Sequence, residues 1–278
     1  MSHKKDRRRV ILVNPSPWAG YTIFKKRVAP FALMHIAPYL EKKGYEVSII
    51  DQFVERNWKS RLLTELGRDP VCMGITSMTG AQISRALDIC REVRREKPDL
   101  PIVWGGIHPT IMPSQTLEDP LVDIAVVGEG EETFAELVEA LEHGNPLDEV
   151  KGIAFRKEGE PVITPSRPFI DLNQAPDPAF HLVHMDRYSE RILGVNHTHI
   201  FCSRGCIYDC AYCWDPIFHQ RKHRVMDPER VLELIKRIVR DFGIRGFSFG
   251  DDNFFIDLDW AGSILEKIIQ SDLDIHIG

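Results

Sequence analysis

Short apolar runs and helical periodicities alternate through the first half of the chain. Residues 10–13 form a β-branched run closed by Asn14-Pro15-Ser16-Pro17, the pattern of a strand ended by turn chemistry. A helical pattern over 31–43 stops at Gly44, and Pro38 inside it predicts a kink or a boundary there. Further strands are expected at 46–51, 71–77, 101–104 and 123–127, with helices at about 58–67, 80–96 and 131–141. Within 80–96, Ile83, Leu87, Cys90 and Val93 share one face, while Arg85, Asp88, Arg91, Glu92 and Arg95 fall largely on others. Near-continuously apolar strands separated by helices imply a parallel sheet covered on both faces. Five such strands favour a flavodoxin-like doubly wound order over the six-stranded dinucleotide order.

Ligands on such sheets bind at the carboxyl ends of the strands. Here those ends carry Asn14, Ser77, Thr79, Gly105, Gly106, His108, Gly128 and Glu129. A glycine after a strand usually just ends it. Four loops on one rim rich in Gly or small polar residues point instead to close backbone approach by a large ligand. There is no GxGxxG after the first strand and no GxxxxGK[ST], so a nucleotide-binding role is not supported.

The pattern changes after residue 143. Residues 152–156 and 161–164 flank Lys157-Glu158-Gly159-Glu160 as a small hairpin, and Pro165, Pro168, Pro176 and Pro178 mark an extended linker. A third block restarts with a strand at 197–201, then a cysteine cluster, and a helix at about 227–241 opened by Asp227-Pro228. A strand at 246–249, a helix at about 257–271 and a strand at 274–277 follow. The expected division is a first domain over 1–145, a hairpin and linker over 146–196, and a second domain over 197–278.

Composition removes several function classes. The chain has 278 residues, 43% of them hydrophobic, with a net charge of −6, so it lacks the basic excess of nucleic-acid proteins. No apolar run approaches the ~20 residues that span a bilayer. The basic N-terminus leads into a strand with no signal-peptide core, and a cytoplasmic protein is expected. Six cysteines are too few for a disulfide scaffold. Cys72 and Cys90 stand alone in apolar surroundings, whereas Cys202, Cys206, Cys210 and Cys213 fall within twelve residues. In a reducing compartment that cluster reads as metal or redox chemistry.

Cys206, Cys210 and Cys213 have the spacing CxxxCxxC. Three thiolates so close together can wrap one side of a [4Fe–4S] cluster. Such a cluster usually takes four cysteines, so three leave one iron open for a substrate or cofactor. Cys202 would supply a fourth thiolate for zinc, although structural zinc sites normally pair two short hairpins across a longer loop. Four incidental thiols are the remaining alternative.

Arg204-Gly205-Cys206-Ile207-Tyr208-Asp209-Cys210-Ala211-Tyr212-Cys213 resembles the signature of the radical S-adenosylmethionine (SAM) superfamily. The first domain, with Pro30 before its first helix, Gly105-Gly106-Ile107-His108-Pro109 and Val127-Gly128-Glu129-Gly130-Glu131, is similar to the cobalamin-binding domain of one branch. Asp171-Leu172 through Pro176-Asp177-Pro178 resembles that branch's linker, and Phe249-Gly250-Asp251-Asp252-Asn253-Phe254 the end of its second barrel strand. The resemblance implies a [4Fe–4S] cluster on Cys206, Cys210 and Cys213, with SAM on the open iron. It sets Tyr212 near the adenine, and Gly250, Asp251 and Asp252 against the methionyl amino group. Asp251-Asp252-Asn253 also reads as a helix N-cap cluster. Cobalamin would meet the strand-end residues of the first domain.

Two features depart from the family. Residues 14–20 contain no histidine, so the DxHxxG source of a lower cobalt ligand is absent, and His108 is a weak replacement. A histidine after Gly-Gly on such a loop is more often a polar contact or exposed. Only 65 residues follow Cys213, against a family barrel of about six βα units; a fragment, a truncated frame or a chain needing a partner is expected. The implied reaction is reductive cleavage of SAM to a 5′-deoxyadenosyl radical, most commonly with methylation of an unactivated carbon. A small-molecule, lipid-like or tetrapyrrole substrate and a flavodoxin or ferredoxin electron donor would accompany it. The alternatives are a catalytically incomplete cobalamin- and cluster-binding module, and a zinc-stabilised structural protein.

Overall fold

The computed structural model describes residues 8–17, 28–188, 190–192 and 194–278. Two units are distinguished. The first is built mainly from residues 30–169 and the second mainly from residues 184–278.

In the first unit the apolar runs become strands β1 (Arg9–Asn14), β2 (Glu46–Asp51), β3 (Cys72–Thr76), β4 (Ile102–Gly105) and β5 (Ile124–Val126). The intervening helices are α1 (Phe31–Lys42), α2 (Trp58–Leu66), α3 (Ala81–Glu96), the short α4 (Ile107–Ile111) and α5 (Pro113–Thr116), and, after β5, α6 (Gly130–His143). The five strands pair in parallel in the order β2-β1-β3-β4-β5, the flavodoxin-like order. The expected hairpin forms as β6 (Ile153–Lys157) and β7 (Glu160–Ile163). It joins the sheet by antiparallel pairing at the β5 edge, giving seven strands and covering an edge that would otherwise stay open.

The core of this unit lies on the strands' apolar faces. Ile11, Val13, Met73, Ile75, Ile102 and Trp104 pack with Leu62 of α2 and Ile89, Cys90 and Val93 of α3. Burying each large side chain contributes about 1.5–3 kcal/mol. Helix α1 runs through Pro38 without ending there. Proline removes the N–H that would reach the carbonyl four residues back, at Met34. That carbonyl instead accepts the Ala179 N–H at 2.8 Å, so the proline leaves no buried acceptor unmet.

In the second unit, β8 (Glu190–Ile192), β9 (Val195–Ile200), β12 (Gly246–Phe249) and β13 (His276–Ile277) form a sheet in the order β13-β12-β9-β8. The β13–β12 and β12–β9 pairings are parallel and β8–β9 is antiparallel. Between β9 and β12 lie the two-residue strands β10 (Ser203–Arg204) and β11 (Arg224–Val225), the short helix α7 (Asp215–Phe218), and α8 (Pro228–Phe242). Helix α8 starts as its sequence predicts: the Asp227 carboxylate accepts the Glu229 N–H, Pro228 occupies the first turn, and Gly243 ends the helix in a left-handed conformation. Helix α9 (Leu258–Gln270) corrects one expectation, because its N-cap is Asp257, accepting the Trp260 N–H, rather than the Asp251-Asp252-Asn253 cluster. The Asp251 carboxylate is held elsewhere.

Candidate functional site

The cysteine loop leaves the carboxyl end of β9 and is closed at its base by the β10–β11 ladder, Ser203 to Val225 and Arg204 to Arg224. Gly205 follows with φ +84°, and a Cβ there would overlap the Lys222 carbonyl oxygen, so both backbone sign and space require glycine. The three motif cysteines lie on the outer arc. Cys206 and Cys213 are half-buried, Cys210 is exposed, and all three thiols are free. Tyr212 between them is 93% exposed, so its ring is open to whatever approaches the loop. Cys202 is the opposite case: it is fully buried, and burial followed by the charge of Asp251 raises its pKa well above the ordinary thiol value.

Asp251, on the loop after β12, faces the start of the cysteine loop. Its Oδ1 accepts the Cys202 N–H at 2.9 Å, the Ser203 N–H, and the Ser203 hydroxyl at 2.6 Å. Its Oδ2 is buried without a hydrogen-bond partner. Burial raises the Asp251 pKa, with the Ser203 and Cys202 donors pulling the other way. Gly250 before it leaves room for the Phe201 ring, 2.7 Å from where a Cβ would sit. Asp252 reaches the surface. Desolvation by its surroundings, then a hydrogen bond to Asp215 and the charges of Asp215 and Asp251, raise its pKa to about 6. His223 Nε2 is also buried and unpartnered; burial lowers its pKa, while Asp251, Asp257 and Asp215 pull it up.

Sequence reasoning missed Asp215. It is 1% exposed, its Oδ1 accepts the Cys206 N–H at 2.9 Å, and its Oδ2 accepts from His219 Nδ1 at 3.0 Å. A carboxylate two residues beyond the last motif cysteine carries no periodic signal. Among the described residues, Asp215, His219 and Asp252 have donor atoms within 4.8 Å of one another, and no three of the thiols meet so closely. Thiolates on one tetrahedral zinc would bring their sulfurs to about 3.8 Å. In a cubane each thiolate bonds a different iron, and no such convergence is needed.

The strand-end rim of the first unit is stitched mainly by amides and hydroxyls, with the buried Asp51 carboxylate at the end of β2. Gln82 on α3, 6% exposed, donates to the Pro15 carbonyl at 2.8 Å and accepts the Met78 N–H at 2.7 Å, tying the β1 and β3 loops together. Asn14 donates to Asp51 Oδ2 at 3.1 Å. His108 is buried with Nδ1 3.1 Å from the Thr79 hydroxyl, and burial lowers its pKa, favouring the neutral ring. Gly106, at φ +97°, would place a Cβ 3.0 Å from the Ser77 carbonyl oxygen and from the Thr76 hydroxyl. The Gly128 N–H donates to the Thr110 hydroxyl at 3.0 Å. Ser77 is fully buried, and its hydroxyl has no hydrogen-bond partner. Gln82 and Thr110 were not foreseen; a glutamine at the end of an apolar helical stripe is the signal that marks the first.

The family model of the B12 binding domain matches residues 22–138, and that of the Radical SAM superfamily matches residues 200–278. This chain belongs to the cobalamin-binding radical SAM superfamily. It is 31% identical to an uncharacterized methyltransferase of Pyrococcus horikoshii over 88% of this chain and 53% of that protein. It is 30% identical to the anaerobic magnesium-protoporphyrin IX monomethyl ester cyclase of Synechocystis over 97% of this chain and 54% of that protein. The chain therefore spans about half the length of these relatives. The fold is shared with the radical S-adenosylmethionine methyltransferase TsrM of Kitasatospora setae, with tryptophan substrate and a SAM analog bound. That match has a TM-score of 0.76 at 23% identity and covers 95% of this chain and 51% of that one. A second TsrM structure, with cobalamin and a [4Fe–4S] cluster bound, matches at 0.74. As a superfamily member the chain presents its B12 binding domain first and its Radical SAM segment second. No helix among the described residues is long and apolar enough to cross a membrane.

Proposed function

We propose that this chain is the cobalamin- and cluster-binding part of a radical SAM methyltransferase acting on an unactivated carbon. The observation that carries this reading is the cysteine loop: three free thiols at the surface, beside a carboxylate with one oxygen satisfied and the other buried and unmet. Cys206, Cys210 and Cys213 are the proposed cluster ligands. Their side chains are accessible to incoming iron, while Cys202 is sealed in the interior. Asp251 Oδ2 suits a cationic group such as the methionyl ammonium of SAM, since a buried carboxylate oxygen without a donor gains most from one. Gly250 and Asp252 complete that side of the proposed SAM site, and Tyr212 offers a ring to the adenine. The combined charge of Asp215, Asp251 and Asp252 favours a sulfonium over a neutral ligand.

In the first unit, Asn14, Ser77, Thr79, Gly105, Gly106, His108, Gly128 and Glu129 are the proposed cobalamin-binding residues. The unmet, fully buried Ser77 hydroxyl supports a ligand with polar groups, and the close-set Gly106 backbone supports one that lies against the rim. When bound, the cluster and corrin would supply the electron that cleaves SAM to a 5′-deoxyadenosyl radical and the methyl group to be transferred. The protein's share is to hold each group, orient it and keep water out. A small-molecule, lipid-like or tetrapyrrole substrate, a flavodoxin or ferredoxin donor, a cytoplasmic setting, and the division at 1–145, 146–196 and 197–278 belong to the same proposal.

The likeness to the cyclase supports a second reading, in which the same radical initiates ring closure instead of methyl transfer. Product analysis separates the two. The test of the shared step is anaerobic incubation of reconstituted protein with SAM and a reductant. 5′-Deoxyadenosine is expected from the unmodified chain and none above background from Cys206→Ala. Retained product in that variant removes Cys206 from the mechanism, and corrin binding without product favours the incomplete binding module.

A further inference from the structure

We propose that Asp215 is a positioning residue for the cysteine loop, holding the Cys206 backbone against the His219 turn so that the loop is shaped before iron arrives. The inference rests on the cluster assignment above and adds a residue outside the cysteine motif. Residues 205–223 form one long loop whose ends are tied by only two residue pairs of β10 and β11. A loop of that length has many alternative paths, and each cross-tie removes some of them. The Asp215 carboxylate supplies such a tie at the loop's middle. Oδ1 takes the N–H of Cys206 at 2.9 Å, and Oδ2 takes Nδ1 of His219 at 3.0 Å.

Burial gives this tie its strength. Asp215 is 1% exposed and His219 5% exposed, so water does not compete for either bond. The His219 turn is fixed independently, because the His219 N–H donates to the Asp215 carbonyl at 2.8 Å and the His219 Cβ packs against Gly205. Gly205 therefore abuts the 219–222 turn directly, and the residue after it, Cys206, is held through Asp215. Cys213, two residues before Asp215, is held separately, with its own N–H on the Cys210 carbonyl at 2.9 Å. The brace thus acts on the backbone at the first cysteine of the motif.

The test compares the unmodified chain with Asp215→Ala, Asp215→Asn and His219→Gln. The first readout is amide hydrogen exchange at Cys206 in the protein without iron. Loss of a charge-assisted bond to a buried carboxylate predicts exchange faster by about tenfold to a hundredfold in Asp215→Ala. Asp215→Asn, which keeps an acceptor oxygen, is expected to fall between. The second readout is the rate at which reconstituted protein loses iron to a chelator, expected to rise in the same order. Where Asp215→Ala does not fold, His219→Gln removes only the far anchor, with an expected change of about twofold to tenfold. Unchanged Cys206 exchange or unchanged iron release in the folded variants overturns the proposal. If the unmodified chain takes up no cluster, the assignment of the cysteines fails, while the exchange readout still decides the brace.

Discussion

The rim of the first unit and the cysteine loop of the second are both built at the carboxyl ends of parallel strands, yet they are finished with different balances of polar groups. The rim is closed by Gln82, Thr79, Thr110 and a neutral His108, with one carboxylate, Asp51, accepting from Asn14, and its unmet atom is a serine hydroxyl. The loop gathers Asp215, Asp251 and Asp252, and its unmet atoms are a carboxylate oxygen and an imidazole nitrogen. The cysteines divide the same way. Cys72 and Cys90 fill the sheet core, Cys90 taking the Trp104 indole N–H at 3.4 Å, while Cys206, Cys210 and Cys213 reach solvent. The two proposed sites thus share one architectural position and differ in chemistry: amides and hydroxyls dominate the rim, while three carboxylates gather near the thiol-bearing loop.

Thiol reactivity sharpens that contrast most strongly. Burial pushes the Cys72 and Cys90 thiols up to about 12. At pH 8 their thiolate fraction is then about one in ten thousand. Iodoacetamide on the folded protein without iron should label Cys206, Cys210 and Cys213 first, with Cys72, Cys90 and Cys202 slower by at least about a thousandfold. Peptide mass spectrometry reads the order, and early labelling of Cys202 would put it back among the candidate ligands.

A smaller effect is expected from Asp251→Asn. It keeps one acceptor for Cys202 and Ser203 but removes the charge offered by Oδ2. SAM affinity of the reconstituted protein should fall by about tenfold to a hundredfold, measured by equilibrium dialysis. On the first unit's rim, Gly106→Ala forces a side chain into a positive-φ position 3.0 Å from the Ser77 carbonyl. Denaturant titration should report a loss of about 1–3 kcal/mol, together with weaker cobalamin binding.

The smallest effect is a pH dependence from Asp252. Its folded pKa of about 6 lies above the ordinary 3.8, so the folded chain holds this proton more tightly than the unfolded one. Its contribution is most favourable below the unfolded value and is lost as pH rises through about 6. Asp252→Asn should therefore gain melting temperature relative to the unmodified chain between about pH 4 and pH 7. A constant difference across that range would mean the carboxyl is not desolvated.

Much of the first unit was legible because buried parallel strands leave long apolar runs, and the helices between them keep a stripe facing the sheet. The five-strand order followed from those runs. What was not legible depended on distant partners. The hairpin at β6 and β7 carries no mark of which sheet edge it will join. Pro38 reads as a break until the Met34 carbonyl finds Ala179. In the second unit the cysteine spacing announced itself, and the resemblance added Asp251 and Asp252 but not Asp215. Only the cap reading of Asp251 fails, because its carboxylate accepts from Cys202 and Ser203 and the capping of α9 falls to Asp257. Asp215 has no pattern at all, since its role is set by a backbone N–H nine residues earlier.

The three motif thiols are proposed to hold a cluster with one iron left for SAM. Electron paramagnetic resonance on anaerobically reconstituted, dithionite-reduced protein, with and without SAM, tests it directly. A reduced [4Fe–4S] signal that shifts when SAM is added is expected. A protein with stoichiometric zinc and no such signal, or a cluster signal indifferent to SAM, would contradict it.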